Sequence, residues 1–287
     1  MKAVAIIDIG SNSVRLMFWA DGKTIFKRLC TTRLGEGIAT SPFLKEEAIE
    51  RTVTAVACFY RQALESGAHS VYAFATAAVR SAENGGEFCA RVKERCGLTV
   101  DVVSGDEEAH LALDGVLGDS DGGILDIGGA STEVCLREQG RTVYAQSFPV
   151  GAVRLHDACK EDKERLLSVI HHALEELDGE REYRNLYAVG GTATTVAAIL
   201  LQMDVYDAKK IQDYRMKTDD VRILSDRLLS MTVEQRRALK GLDEKRADII
   251  AGGALLLYCA MKKMNLTEIT LSDRDNLEGY LIRRRLG

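Results

Sequence analysis

Two stretches, Ile7-Asp8-Ile9-Gly10-Ser11-Asn12-Ser13 and Leu125-Asp126-Ile127-Gly128-Gly129-Ala130-Ser131, decide the fold because they repeat one pattern in the two halves of the chain. Both contain an apolar residue, then Asp, Ile and Gly, and both end in Ser. A strand-like pattern precedes and follows each stretch. A duplicated strand, turn and strand predicts two similar half-molecules that face one another.

The composition of these turns indicates phosphate binding. Glycine allows the backbone to turn so that successive N–H groups point into a concavity that can hold phosphate oxygens. Asp8 and Asp126 lie at the ends of buried strands, where carboxylates can orient Mg²⁺ or its waters. A tight hairpin of ordinary composition would explain one such turn, but the repetition favours a pair of phosphate-binding turns.

The two copies differ at one position. Arg15 follows the first turn at the place where Glu133 follows the second. One half therefore offers a cation, and the other a carboxylate that could bind a metal. Neither turn opens a helix, as a P-loop or a dinucleotide-binding turn would.

A third glycine turn, Gly190-Gly191-Thr192, lies between a predicted strand and a predicted helix. In that position the backbone amides and the positive end of the helix dipole can bind a phosphate group. The alternative is that these glycines serve only close packing.

Composition excludes several classes of protein. The chain has 287 residues, of which 46% are hydrophobic and 28% charged, which is typical of a globular protein. The net charge of -5 predicts no attraction to nucleic acid or to a membrane surface, and no apolar run is long enough to span a bilayer. The 7 cysteines include no CxxC pair, so we expect reduced cysteines and a cytoplasmic location.

Strands alternate with helices along the chain, and each half begins with an antiparallel hairpin. This order predicts an α/β protein with mixed sheets rather than a purely parallel sheet. Long helices are expected at about 43–65, 160–177 and 243–264. We expect two domains, 1–120 and 121–287, with a cleft between them and with the last helix able to pack back on the first domain.

The helix that begins after Ser104 contains two candidate acids. Glu107 shares a helix face with His110, Leu111 and Asp114. Glu108 shares one with Ala112, Gly115 and Val116 and therefore points toward protein or a cleft. A carboxylate in that position needs a partner or a function, so a buried ion pair remains the alternative. Arg80 follows a strand end, where ligands gather in α/β proteins, although surface ion pairing is the usual role of an arginine.

Six segments resemble, in order along the chain, motifs of the exopolyphosphatase/guanosine pentaphosphate phosphohydrolase (Ppx/GppA) family. They are residues 6–13, 75–80, 104–109, 125–133, 150–155 and 189–192. The string Asp126-Ile127-Gly128-Gly129-Ala130-Ser131-Thr132-Glu133 is the most specific of them. The resemblance implies the fold of actin, hexokinase and the chaperone ATPases: two ribonuclease-H-like domains around a cleft.

The resemblance also implies roles for individual residues. Glu108 would be the catalytic base, Asp126 and Glu133 would be linked to Mg²⁺, and Arg80 would hold phosphate. Together with Asp8, which the turn chemistry suggests, these carboxylates make up the expected metal ligands. The expected phosphate-binding residues are Gly10, Ser11, Asn12, Ser13, Arg80, Gly128, Gly129, Ala130, Ser131, Gly190, Gly191 and Thr192.

The chain departs from the family pattern in two places. Ala130 replaces the third glycine of the second turn, which would tighten the approach of a phosphate. Relatives tend to read Ser-x-x-Gly-Leu-Arg-Glu-Gly near the C-terminus, whereas this chain has different charges in residues 272–279. These differences leave the substrate preference open.

The expected activity is Mg²⁺-dependent hydrolysis that releases terminal orthophosphate from inorganic polyphosphate or guanosine pentaphosphate. Two alternatives remain: a non-catalytic sensor of guanosine tetraphosphate or pentaphosphate, and a nucleotide-dependent kinase on the same fold. The expected partners are these small molecules, and we expect no binding to nucleic acid or to a membrane. The sequence leaves open whether the protein forms a homodimer.

Overall fold

The computed structural model describes residues 3–286 and contains two β-sheets. No helix in this part of the chain is both long and apolar enough to cross a membrane.

The first sheet and its helices come from the first part of the sequence. The strands are β1 (Val4–Ile9), β2 (Ser13–Ala20), β3 (Lys23–Thr31), β4 (Ser70–Ala75) and β5 (Val100–Val102). The helices are α1 (Glu46–Glu65), α2 (Ala77–Ser81), α3 (Gly85–Cys96) and α4 (Gly105–Leu117).

The second sheet and its helices follow. The strands are β6 (Gly122–Ile127), β7 (Thr132–Glu138), β8 (Arg141–Phe148), β9 (Leu186–Val189), β10 (Arg215–Lys217) and β11 (Glu268–Leu271). The helices are α5 (Ala152–Cys159), α6 (Lys163–Ala173), α7 (Gly190–Leu200), α8 (Ala208–Ile211), α9 (Thr218–Ser230), α10 (Val233–Arg237), α11 (Ile250–Lys263) and α12 (Asn276–Arg283), with a short 3₁₀ turn at Glu244–Arg246.

The two sheets share one topology. The strand order is β3-β2-β1-β4-β5 in the first sheet and β8-β7-β6-β9-β11 in the second, where β10 is added at the edge. In each sheet the first three strands are antiparallel and the next two join them in parallel. The predicted α/β fold with two ribonuclease-H-like halves and mixed sheets is confirmed. The domain boundary at residues 120 and 121 stays a prediction.

The C-terminal helix α12 returns to the first half of the molecule and packs against α4. Leu277, Tyr280 and Leu281 of α12 join a buried cluster with residues of β1, β2 and β4. The two helices approach closely, because a Cβ added to Gly279 would lie 1.7 Å from the Leu111 carbonyl oxygen. Glycine at this position therefore sets the position of α12 against the helix that carries Glu108.

Three predicted helix boundaries were wrong, and tertiary contacts explain the first. Helix α1 begins at Glu46 rather than near 43, since the Asn84 side chain hydrogen bonds both backbone groups of Leu44 at 2.8 and 3.0 Å. The predicted helix 160–177 starts only after Lys160, whose φ of 52° ends α5. The predicted helix 243–264 is divided into the 3₁₀ turn and α11.

Candidate functional site

The first two glycine turns have the same internal geometry. The Gly10 N–H donates to the Ser13 carbonyl at 3.0 Å, and the Gly128 N–H donates to the Ser131 carbonyl at 3.0 Å. The turns also touch, because a Cβ added to Gly129 would lie 2.9 Å from the Ser11 Cβ. The repeated motifs therefore face one another across the cleft between the two sheets.

The cleft holds a cavity of about 1100 Å³. Its lining includes all residues expected in the three glycine turns, together with Asp8, Glu108 and Asp126. Of the predicted site residues, Arg80 and Glu133 are outside this lining. The structure thus brings most of the predicted residues into one concave space.

The third glycine turn fits closely around two charged side chains. Gly190 has a φ of 81°, and a Cβ there would lie 2.2 Å from Asp126 Oδ1. A Cβ at Gly191 would lie 2.3 Å from Arg246 Nη1. These glycines therefore let the start of α7 approach both a carboxylate and a guanidinium.

Glu108 is buried at the start of α4, where Ser104 caps the helix by accepting the Glu107 N–H at 3.1 Å. Arg80 Nη1 donates to Glu108 Oε2 at 2.9 Å and to the Val103 carbonyl at 2.9 Å. Burial raises the pKa of Glu108, and the charge of Arg80 opposes this shift. Arg80 is therefore the partner of the candidate base, a different position from the phosphate contact that the sequence suggested.

The neighbouring carboxylates raise one another's pKa. Burial and then the charge of Glu108 raise the pKa of Asp126 to about 7. Burial and the charges of Glu108 and Asp126 raise the pKa of Glu133 well above its ordinary value. Glu133 accepts a hydrogen bond from Ser147 Oγ at 2.7 Å, and its second oxygen has no partner among the described residues. This wall of the cavity carries negative charge that a cation would relieve.

The residues fit a Mg²⁺ ion held partly by substrate. Within residues 3–286, no three His, Cys, Asp or Glu side chains form a ready cation cage. Mg²⁺ is usually bound by one or two carboxylates together with substrate phosphates. Asp8 Oδ1 is buried without a hydrogen-bond partner in the described chain, and Asp126 lines the same cavity. Glu133 lies behind the wall, so Asp8 and Asp126 are better placed than Glu133 to hold the ion.

Arg15 lines the cavity and pairs with carboxylates from both ends of the chain. Its Nε donates to Asp8 Oδ2 at 3.0 Å, and its Nη1 forms an ion pair with Asp275 at the start of α12. The position where the two motif copies differ thus holds a guanidinium between two acids.

Sequence reasoning missed Arg246, which lies in the 3₁₀ turn beside the first and third glycine turns. Its Nη2 is 3.5 Å from Ser13 Oγ, and it makes no ion pair in the part of the chain that the structure describes. Burial lowers the pKa of this guanidinium. No local pattern marked Arg246, since residues 243–264 have the pattern of one helix. Its proximity to Gly191 depends on the fold.

Comparisons with known proteins agree with this geometry. The model of the Ppx/GppA phosphatase family matches residues 18–286. The bifunctional 3-dehydroquinate synthase/phosphatase of Fusobacterium nucleatum is 30% identical over 308 residues, 97% of this chain and 46% of that protein, so this chain spans about half of its length. Exopolyphosphatase 2 of Mycobacterium tuberculosis is 30% identical over 314 residues, which cover 98% of each chain.

A solved structure agrees as well. The crystal structure of the Aquifex aeolicus member of the Ppx/GppA family has a TM-score of 0.80 and 28% identity to this chain, covering 99% of this chain and 98% of that one. Fold, repeated turns and sequence similarity therefore lead to the same assignment. The chain belongs to the Ppx/GppA phosphatase family.

Proposed function

We propose that this protein hydrolyses a phosphoanhydride bond with Mg²⁺ and releases terminal orthophosphate from inorganic polyphosphate or guanosine pentaphosphate. The observation that carries the proposal is the contact between Gly129 and Ser11, which pairs two amide-rich turns beside the buried Glu108. The free state of the cysteines supports a cytoplasmic setting for the reaction.

The turns would bind the terminal phosphoryl group. Backbone amides of residues 10–13 and 128–131 and the first amides of α7 offer donors without a side-chain entropy cost. Arg246 adds a cation that makes no ion pair in the described chain. Mg²⁺, held by Asp8 and Asp126 with the substrate, would offset the charge on the phosphate oxygens.

Glu108 would act on the attacking water. Its carboxylate orients the water and accepts a proton as the new P–O bond forms and the anhydride P–O bond breaks, leaving the shortened substrate as the leaving group. Arg80 holds Glu108 Oε2 at 2.9 Å, which orients the carboxylate and opposes the rise in its pKa that burial causes. Phosphoryl transfer depends mainly on positioning and electrostatics, so one carboxylate can serve as the base.

Two neighbouring glutamates give a matched test. Glu108→Gln removes the base and is expected to lower the rate of orthophosphate release by about 10² to 10⁴-fold. Glu107→Gln changes a side chain on the solvent side, 3.8 Å from Arg284, and should retain most of the activity. The assay measures phosphate released from polyphosphate and from guanosine pentaphosphate, with and without Mg²⁺.

This assay, together with calorimetry and a sugar-phosphorylation assay, separates the alternatives. Full activity of Glu108→Gln would contradict the assignment of the base. Tight binding of guanosine pentaphosphate by calorimetry without phosphate release would favour a sensor. A phosphorylated sugar formed from ATP and a panel of sugars would favour a kinase.

A further inference from the structure

The C-terminal segment places acids on the cavity wall of a protein that would bind polyanions. Asp273, Asp275 and Glu278 all line the cavity. Lys27 forms ion pairs with two of these acids: its Nζ lies 2.8 Å from Glu278 Oε1 and 3.8 Å from Asp273 Oδ2. The third, Asp275, is paired with Arg15. Burial raises the pKa of Asp275, but the charges of Arg15 and of Lys27 outweigh burial and lower it.

Asp275 is fixed in place by its own helix. Its Oδ1 accepts the Leu277 N–H at 3.0 Å, and its N–H donates to Glu278 Oε2 at 3.1 Å, which forms a capping box at the start of α12. A Cβ added to Gly115 of α4 would lie 1.9 Å from the Asp275 carbonyl oxygen, so the backbone at this position is held against α4. The carboxylate therefore cannot move away without moving the helix.

The Asp275 carboxylate accepts a hydrogen bond from Arg15, a cation that lines the cavity. Arg15 gives Nε and Nη2 to Asp8 and Nη1 to Asp275. Asp8 and Asp275 therefore share this one guanidinium, and each takes part of its hydrogen-bonding capacity. Arg274 of the same segment also lines the cavity, but its side chain is exposed, where solvent screening weakens its charge more than that of the half-buried Arg15.

We propose that Asp275 is a specificity-determining residue, whose carboxylate withholds Arg15 from the substrate and selects against substrates with many phosphate charges beyond the terminal phosphoryl group. This proposal deepens the proposed function and rests on it. The charge of Asp275 also raises the pKa of Asp8 and of Asp126, so its field reaches both turn aspartates.

The test removes the charge and keeps the helix cap. Asp275→Asn can still accept the Leu277 N–H, because Asn caps helices about as well as Asp. One charge fewer is expected to raise kcat/KM for long-chain polyphosphate by about tenfold, and for pyrophosphate by less than about threefold. The gain should shrink at high salt, which a purely structural change would not produce. Asp162→Asn, which changes the exposed cap of α6, should leave kcat/KM unchanged for both substrates.

Direct binding separates this proposal from the proposed function. Calorimetry compares Glu108→Gln with the Glu108→Gln/Asp275→Asn double variant, using tripolyphosphate as the ligand, and the double variant is expected to bind about tenfold more tightly. An unchanged or weaker affinity, or no binding by either variant, overturns the role of Asp275. Absence of phosphate release from the unmodified protein overturns the proposed function alone, since the binding comparison needs no turnover.

Discussion

Asp126, a proposed metal ligand, is expected to lower the stability of the folded protein. The residue is 6% exposed, and the carboxyl groups of Glu108, Asp275 and Asp8 act on it. Its pKa rises from 3.8 to about 7 on folding. Because the folded state binds the proton more tightly, this residue costs more stability as the pH rises from about 4 to 7, and the full cost remains above pH 7.

Asp126→Asn should therefore stabilise the protein in a pH-dependent way. Without Mg²⁺, the gain in Tm is expected to be about 5 °C larger at pH 8 than at pH 5, measured by thermal denaturation. Asp119→Asn, an exposed change between α4 and β6, should give no such difference. An equal gain for Asp126→Asn at both pH values would show that its charge is not the cause.

Local pattern was sufficient for part of the residue-level description. The Asp-Ile-Gly turns and the apolar face of Glu108 are encoded within a few residues, so their meeting in one cavity followed from the repeat. The Arg80 contact with Glu108, the position of Arg246 and the Arg15 pair with Asp275 each join distant parts of the chain. No period or motif encodes such contacts, so they required the folded structure.

At the scale of elements, the strands around the first two glycine turns were easier to predict than the helix ends, whereas β8 and β10 were not predicted. The strands that flank both turns pair as antiparallel hairpins, as the sequence pattern predicted. Helix α1 starts only after Leu44, whose N–H is bound by the Asn84 side chain. Helix α5 ends at Lys160, whose backbone has a positive φ. Helix boundaries are therefore set by partners that lie outside the local pattern.

The crossing of α4 and α12 gives a prediction at this scale. Gly279→Ala would place a methyl group 1.7 Å from the Leu111 carbonyl oxygen, so α12 must shift away from α4. We expect a loss of about 1 to 3 kcal/mol in unfolding free energy, as for overpacking. We also expect a lower kcat, because α4 carries Glu108. Chemical denaturation and the phosphate-release assay measure the two effects.

Gly86→Ala is the control for this change. Gly86 is also in a helix, α3, but a Cβ there meets nothing within 4 Å. Alanine should therefore leave stability unchanged or raise it by up to about 1 kcal/mol, because it favours the helix. Equal losses from both substitutions would mean that glycine content, rather than the contact between α4 and α12, explains the result.

At the scale of the whole molecule, the segment between β3 and α1 joins the two halves. Arg33, in the segment between β3 and α1, donates to both oxygens of Asp248 at 2.7 Å and to the Lys245 carbonyl at 2.6 Å. The Gly37 N–H donates to Asp157 Oδ2 at 2.6 Å. Lys245 and Asp248 flank Arg246, so this bridge fixes the turn that brings a cation to the cavity.

Loss of the hydrogen bonds from Arg33 to Asp248 and Lys245 should weaken substrate binding more than it slows the catalytic step. Arg33→Gln is expected to raise KM about 3- to 10-fold, because the turn that holds Arg246 is no longer tied to the first half, while kcat changes less than about twofold. Arg95→Gln is the matched control, since it removes an exposed ion pair with Glu50 between two helices of the first half at 2.9 Å. Steady-state kinetics of phosphate release compare the two variants. If KM responds equally to both, the bridge contributes only to general stability, and the two halves hold the substrate without it.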